Sequence, residues 1–158
     1  MLGLSFEIID KDHLARWLMQ VSKRSINSGL TKGMQRAVRL VQTISKRSYL
    51  SGPRPEHLGV VTGRLRSSIT VAVRSNIVSG LVEGVVGTNV KYAPIHEFGG
   101  VIVPRKAKYL AVKINGKYIR TKRVVIPARP FLRSALRDAT PQIQQILGYE
   151  IEGAIERG

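Results

Sequence analysis

The sequence predicts an α+β fold: a small, mostly antiparallel sheet with a long N-terminal helix and a C-terminal helix packed on it. Three observations predict it. A helical apolar stripe runs from Leu30 to Tyr49, short alternating β-rich runs fill the middle, and a second helical stripe closes the chain. With 158 residues the expected organisation is one domain, 1–158, able to bury roughly 70% of its unfolded surface.

In order, Leu4 to Ile9 reads as a short strand, and Asp10 or Asp12 can cap a helix whose apolar stripe is Leu14, Trp17, Leu18 and Val21. Asn27-Ser28-Gly29 is expected to interrupt it. The next helix, Leu30 to Tyr49, gathers Leu30, Met34, Ala37, Val38, Val41 and Ile44 within about a third of its circumference at ~100° per residue. Lys32, Arg36, Arg39, Lys46 and Arg47 fall opposite. Gly33 weakens this helix by up to ~1 kcal/mol without breaking the pattern. A membrane-surface helix would carry bulkier apolar residues.

Ser51-Gly52, Pro53 and Pro55 make Leu50 to Val61 a loop. Thr62 can then cap one helical turn in TGRLRSSI, where Arg64 and Arg66 read most simply as solvated. Thr70 to Arg74 and Leu81 to Val86 alternate as strands, with Ser75-Asn76 and Ser79-Gly80 as turn residues between them.

The chain is organised around VGTNVKYAPIHEFGG, Val86 to Gly100. A strand ends at Gly87, where a glycine can take a positive φ, and Thr88 and Asn89 are turn formers. Tyr92, Ile95 and Phe98 recur at helical spacing over one short turn, Pro94 fits only its start, and Gly99-Gly100 stops it. Beyond Val101 to Val103, the runs Tyr109 to Ile114 and Lys117 to Ile126 flank Asn115-Gly116, a strong hairpin signal. Lys113, Lys117, Arg120, Lys122 and Arg123, with Tyr109 and Tyr118 interleaved, make this hairpin an extended basic arm. In IPARPFL, Pro130 holds Arg129 extended and can open the last helix at its first position, with Phe131, Leu132, Ala135 and Leu136 on its apolar face. Pro141 suggests a kink or restart before Ile143, Ile146, Leu147, Ile151, Ala154 and Ile155 continue the stripe.

The charge is uneven. The formal net charge is +16 and the pI near 11. Nine basic residues and no acid lie between His13 and Pro55, and eleven and no acid from Phe98 through Arg137. Such a field attracts polyanions or an acidic partner; a merely solubilising surface more commonly mixes its signs. The absence of cysteine excludes disulfides and thiolate metal sites. No apolar run approaches the ~18 residues of a membrane span, and the N-terminus lacks a signal-peptide pattern, so a soluble cytoplasmic protein is expected.

An enzyme reading finds little. His13, His57 and His96 show no paired metal spacing, and neither a phosphate-cradling GxxxxGK[ST] nor a GxSxG elbow occurs. His96-Glu97 beside Tyr92 could form an acid/base pair, but such a dipeptide more often caps or solvates a turn. A nucleic-acid reading rests on the basic hairpin and basic helix face, which could track a phosphate backbone. Aromatics alternating on a strand more often pack across it, and no zinc finger or RNP-type sheet motif is present.

TGRLRSSI at Thr62–Ile69, VGTNVKYAPIHEFGG and IPARPFLRSAL at Ile126–Leu136 together resemble the tail-completion and neck proteins of long-tailed bacteriophages, a group also described as virion morphogenesis or minor tail proteins. The resemblance covers a core of about 30–136, with 1–29 and 137–158 as helical flanks. It implies a non-enzymatic structural protein, without cofactor or metal, at the head–tail junction or the head-proximal tail end. Such a protein would finish the tail or join it to the DNA-filled head, as an oligomeric ring (hexamer or dodecamer) around the DNA path. Its partners would be itself and other connector, tail-terminator or tail-tube proteins, with non-specific contact to DNA in the channel and none to a membrane. Its place would be the virion, and the host cytoplasm during assembly. By resemblance Gly63 and Leu65 belong to the first motif, Gly87, Asn89 and Gly99 shape the central turn, and Tyr92 and Phe98 anchor its packing. Arg129, Pro130 and Phe131 would set the start of the last helix, with Glu97 and Arg129 open to a specific polar contact. The basic arm would meet an acidic neighbouring ring or line the channel loosely. The alternative is a basic nucleic-acid-binding protein without catalytic activity.

Overall fold

The computed structural model describes residues 11–51, 58, 62–114 and 116–157. The Leu4–Ile9 strand, Asp10, His57, Asn115 and the prolines of the 52–57 loop lie outside them, as do the side chains of Leu14, Trp17, Leu18 and Val21. Among the described residues four α-helices and six strands follow one another: α1 Lys11–Ile44, α2 Arg64–Ser67, β1 Thr70–Asn76, β2 Leu81–Gly87, α3 Ala93–Phe98, β3 Gly100–Ile102, β4 Leu110–Ile114, β5 Lys117–Thr121, β6 Val124–Ile126 and α4 Leu132–Glu156. The α+β class is as expected. The strands pair as three separate two-stranded ladders, β1–β2, β3–β6 and β4–β5.

Two compact units make up the chain. The first draws on Met1–Val38, Ala72–Val85 and Pro141–Gly158. Here α1 runs unbroken through Asn27-Ser28-Gly29, against expectation. Asn27 is buried, and its Oδ1 accepts a 2.6 Å hydrogen bond from Ser75 Oγ while its carbonyl accepts from Thr31 Oγ1 at 2.7 Å. Gly29 is a crossing point: a Cβ there would lie 2.5 Å from the Glu150 carbonyl oxygen and 2.7 Å from Ala154 Cβ. One turn on, a Cβ at Gly33 would lie 2.9 Å from Leu147 Cδ2. The polar-glycine sequence that reads as a helix stop is thus the face on which α4 approaches α1. On the same unit's β2, Gly84 admits Met34 and Val38, whose Sδ and Cγ1 would lie 2.5 and 2.6 Å from an added Cβ. Arg36 reaches Glu150 at 2.6 Å.

The second unit comprises Arg39–Val71 and Val86–Thr140. Its core is Leu50, Leu58, Ile69, Val90, Ala93 and Phe131, flanked by Tyr49, Leu65, Val86 and Leu132. The inward face expected of the basic helix is observed across both units, with Ala37, Val38 and Val41 buried and Lys32, Arg36 and Arg39 exposed. After Ile44 the chain widens into a π-helical turn, Ser45–Tyr49, closed by Leu50 N donating to Ser45 O at 3.0 Å.

α4 passes through Pro141 without a restart. Proline removes one N–H from the ladder, and Thr140 Oγ1 donates to the Leu136 carbonyl at 2.9 Å just before it. The run from Lys117 to Ile126 is not one strand. It divides at Lys122-Arg123, where Thr121 Oγ1 donates to Arg123 O at 2.8 Å and accepts from Arg123 N at 3.3 Å. β5 stays with β4, while β6 pairs antiparallel with β3, Val101 opposite Val125.

Candidate functional site

The second unit's core is built where the three motifs meet. Ile69 comes from TGRLRSSI, Val90 and Ala93 from the central stretch, and Phe131, 1% exposed, from IPARPFL. Ser68 Oγ and Thr88 Oγ1 share a 2.6 Å hydrogen bond, and Thr88 Oγ1 also accepts from Val90 N at 3.2 Å. Gln42 Nε2 donates to the Ile69 carbonyl at 2.6 Å. Three segments far apart in sequence therefore share buried apolar side chains and polar links.

Glu97 is the polar centre. It is 5% exposed, yet its carboxylate accepts from Phe131 N at 2.7 Å and Leu132 N at 3.0 Å through Oε2, and from Arg133 N at 3.0 Å through Oε1. These are N–H groups at the start of α4, which have no acceptor within their own helix. The anion also sits at the positive end of the helix dipole. A residue of α3 thus caps α4 from outside it. Arg133 Nε adds a 3.3 Å ion pair to Oε1, and its Nη2 donates to the Glu97 carbonyl at 3.0 Å. The contact foreseen for Glu97 goes to Arg133, not Arg129. Arg129 joins instead through its backbone, N donating to His96 O at 2.7 Å. A carboxylate engaged in this way acts as a cap for α4.

Several expectations for the central turn are corrected. Gly87 does not take a positive φ; among the motif residues Gly63 (71°) and Gly99 (72°) do. At Gly99 the ψ is 179°, and a Cβ would lie 2.8 Å from Ala128 N. Tyr92 and Phe98 are exposed, Phe98 by 64%, while Ala93 and Glu97 between them are buried. Tyr92 lies edge-on to His96 at 5.9 Å, and Phe98 carries the Arg133 guanidinium 4.8 Å from its ring centroid. α2 opens on Gly63 without a side-chain cap, Thr62 Oγ1 accepting only a long 3.4 Å bond from Arg64 N, while Leu65 packs against the core. Pro130 lies two residues before α4 and not at its first position. Asn89 is exposed.

The arm has the expected form. β4 and β5 pair antiparallel, with Ile114 opposite Lys117 and Gly116 at a φ of 84°. Lys113 stands opposite Tyr118, its Nζ 5.8 Å from the ring centroid, and Arg120 stands opposite Ala111 on the same side. Lys113, Lys117, Arg120, Lys122 and Arg123 are all exposed, and none has an acidic partner among the described residues. Among those residues there is also no group of histidine and carboxylate side chains able to hold a metal, and no helix long and apolar enough to cross a membrane.

Residues 41–152 match the phage virion morphogenesis family. The chain belongs to that family. All three motifs, the Glu97 cap and the basic arm lie inside the matched span. The virion morphogenesis family is a structural one, and it associates the chain with the virion. A curated relative, the Mu-like prophage FluMu G protein 2 of Haemophilus influenzae, is 36% identical over 90 residues, covering 57% of this chain and 49% of its own. The chain therefore spans about half the length of that relative. No solved structure matches. Sequence reasoning missed Arg133, which lies inside the IPARPFLRSAL motif but carries no local signal of its role.

Proposed function

We propose that this virion morphogenesis protein acts at the head–tail junction, as a neck or tail-completion component that finishes the tail or joins it to the DNA-filled head. The observation that carries the reading is the contrast within one unit. The three motifs are consumed in a single cross-braced core, while the β4–β5 arm exposes a tyrosine and cations that have no acidic partner among the described residues. An isolated two-stranded hairpin is only marginally stable in water, so an arm of this kind is completed by what it docks on.

In a ring, the arm of each subunit meets the next subunit, a connector, a tail-terminator or a tail-tube protein, or loosely lines the DNA path. Tight DNA binding would oppose passage. Similarity to a protein of a Mu-like prophage supports a phage origin for the working context. The test is electron microscopy of lysates from a phage carrying this gene with an early stop codon. Filled heads separate from tails, or tails of irregular length, support the reading. Normal particles overturn it.

The exposed cations of the arm also favour a second reading, a nucleic-acid-binding protein outside the tail. It requires binding of random duplex with a salt slope of about −0.9 per phosphate neutralised.

A further inference from the structure

Beneath the first motif lies a hollow of about 530 Å³. Its walls come from the π-helical turn and from α2: Lys46, Arg47 and Ser51 on one side, Thr62, Arg66 and Ser67 on the other. The widened turn matters here. Adding a residue to a helical turn re-aims the side chains on it, and such bulges occur frequently at functional sites. It places Lys46 and Arg47 beside the same hollow as Arg66, which is 19 residues beyond Arg47 in the chain. Arg66 is positioned: its Nη1 donates to Ser51 Oγ at 3.1 Å, and Ser51 Oγ donates to the Lys46 carbonyl at 2.5 Å. Among the described residues no carboxylate lines the hollow, and none pairs with the three cations.

Three like charges lining one concavity repel each other. An oxyanion placed there relieves that repulsion. The guanidinium forks of Arg47 and Arg66 suit the oxygens of a phosphate, and three hydroxyl groups add donors. The volume lies within the range of ligand pockets, roughly 300–1,000 Å³, and exceeds what a bare phosphate fills. We infer that this hollow, formed by Lys46, Arg47 and Arg66, binds a phosphate group with room for the unit attached to it. It is separate from the β4–β5 arm and does not depend on where in the virion the protein acts.

The test titrates the full-length chain calorimetrically with inorganic phosphate, and separately with a short mixed-sequence DNA duplex over a range of salt. Two variants are compared with the wild type: Lys46→Gln/Arg47→Gln/Arg66→Gln, and the single Arg66→Gln, which alters one exposed side chain and leaves the π-helical turn untouched. An arm variant, Lys117→Gln/Arg120→Gln, serves as control, and unchanged thermal midpoints establish folding. Phosphate should bind the wild type and the arm variant alike and bind the triple variant at least about tenfold more weakly, a difference of about 1.4 kcal/mol. If duplex binding also loses about two to three units of salt slope in the triple variant, the phosphate is that of a nucleic-acid backbone. If duplex binding is unchanged while phosphate binding falls, the ligand is a free phosphate. Phosphate binding that survives in both variants overturns the proposal. So does a wild type that takes up no phosphate and whose duplex binding the triple variant leaves intact.

Discussion

Arg133 holds Glu97 at both ends, Nε to the carboxylate at 3.3 Å and Nη2 to the backbone carbonyl at 3.0 Å. The two residues are 36 apart in sequence, and between them the chain makes two ladders, β3–β6 and the β4–β5 arm. The clasp closes that excursion, so that α3 and the start of α4 behave as one piece. Its energetic weight lies with the buried partner: Glu97 is 6% exposed in its side chain and Arg133 60%.

Replacing Glu97 by Ala leaves the N–H groups of Phe131, Leu132 and Arg133 without their acceptor. Loss of a cap and of charge-assisted hydrogen bonds in a buried setting should cost about 2–4 kcal/mol. Glu97→Gln, which keeps one acceptor oxygen, should cost less, and Arg133→Ala about 1 kcal/mol or less because that end is solvated. Urea denaturation of the three variants gives this order; a neutral Glu97→Ala contradicts the capping role.

Gly29→Ala drives a Cβ against the backbone oxygen of Glu150, which has no rotamer by which to move aside. Overpacking of this kind costs about 1–3 kcal/mol. Gly148→Ala is the control, since nothing lies within 4 Å of the added atom, and within a helix it should stabilise by up to ~1 kcal/mol. Thermal midpoints moving in opposite directions check both.

Gly99 combines a φ of 72° with an extended ψ of 179°, a region essentially restricted to glycine. Gly99→Ala and Gly99→Asn should therefore both destabilise by about 1–3 kcal/mol, whereas an ordinary left-handed site would accept Asn. Equal loss in the two variants, read by denaturant midpoint, is the expected outcome.

Tyr49 donates its hydroxyl to Asp138, which also meets Arg137 at 3.3 Å. The Tyr49 hydrogen bond, and then Arg137, hold the Asp138 carboxyl below its usual value, while the same bond raises the Tyr49 phenol. A depressed carboxyl contributes stability above its unfolded pKa, near 3.8, and loses it as pH falls through the folded value. A raised phenol contributes below its unfolded pKa of 10.0 and loses that as pH climbs through the folded value. The stability difference between wild type and Tyr49→Phe should thus be flat near neutrality and shrink at both extremes. Urea midpoints across pH test it.

Reversing Lys117, Arg120, Lys122 and Arg123 to Glu should leave the subunit folded, because all four are exposed and none has an acidic partner among the described residues, and should reduce joined particles. Circular dichroism with phage titre separates the two effects. An unchanged titre removes the arm from assembly.

What the sequence determined by itself was local. Periodicity placed the buried stripe of α1, the alternating runs placed β1, β2 and β4, and Asn115-Gly116 placed the turn between β4 and β5, since these signals depend on neighbours a few residues away. The density of lysine and arginine marked the arm. Tertiary structure decided what depends on distant partners. Asn27 and Gly29 look like a stop until Ser75 and Glu150 stand against them. Tyr92 and Phe98 share a helical face, but the core lies on the side of Ala93 and Glu97. β6 leaves β5 because β3, more than 20 residues earlier in the chain, offers a free edge. The cap on α4 comes from α3 because the helix's own start supplies Pro130 and Phe131, which have no side-chain acceptor to offer its first N–H groups.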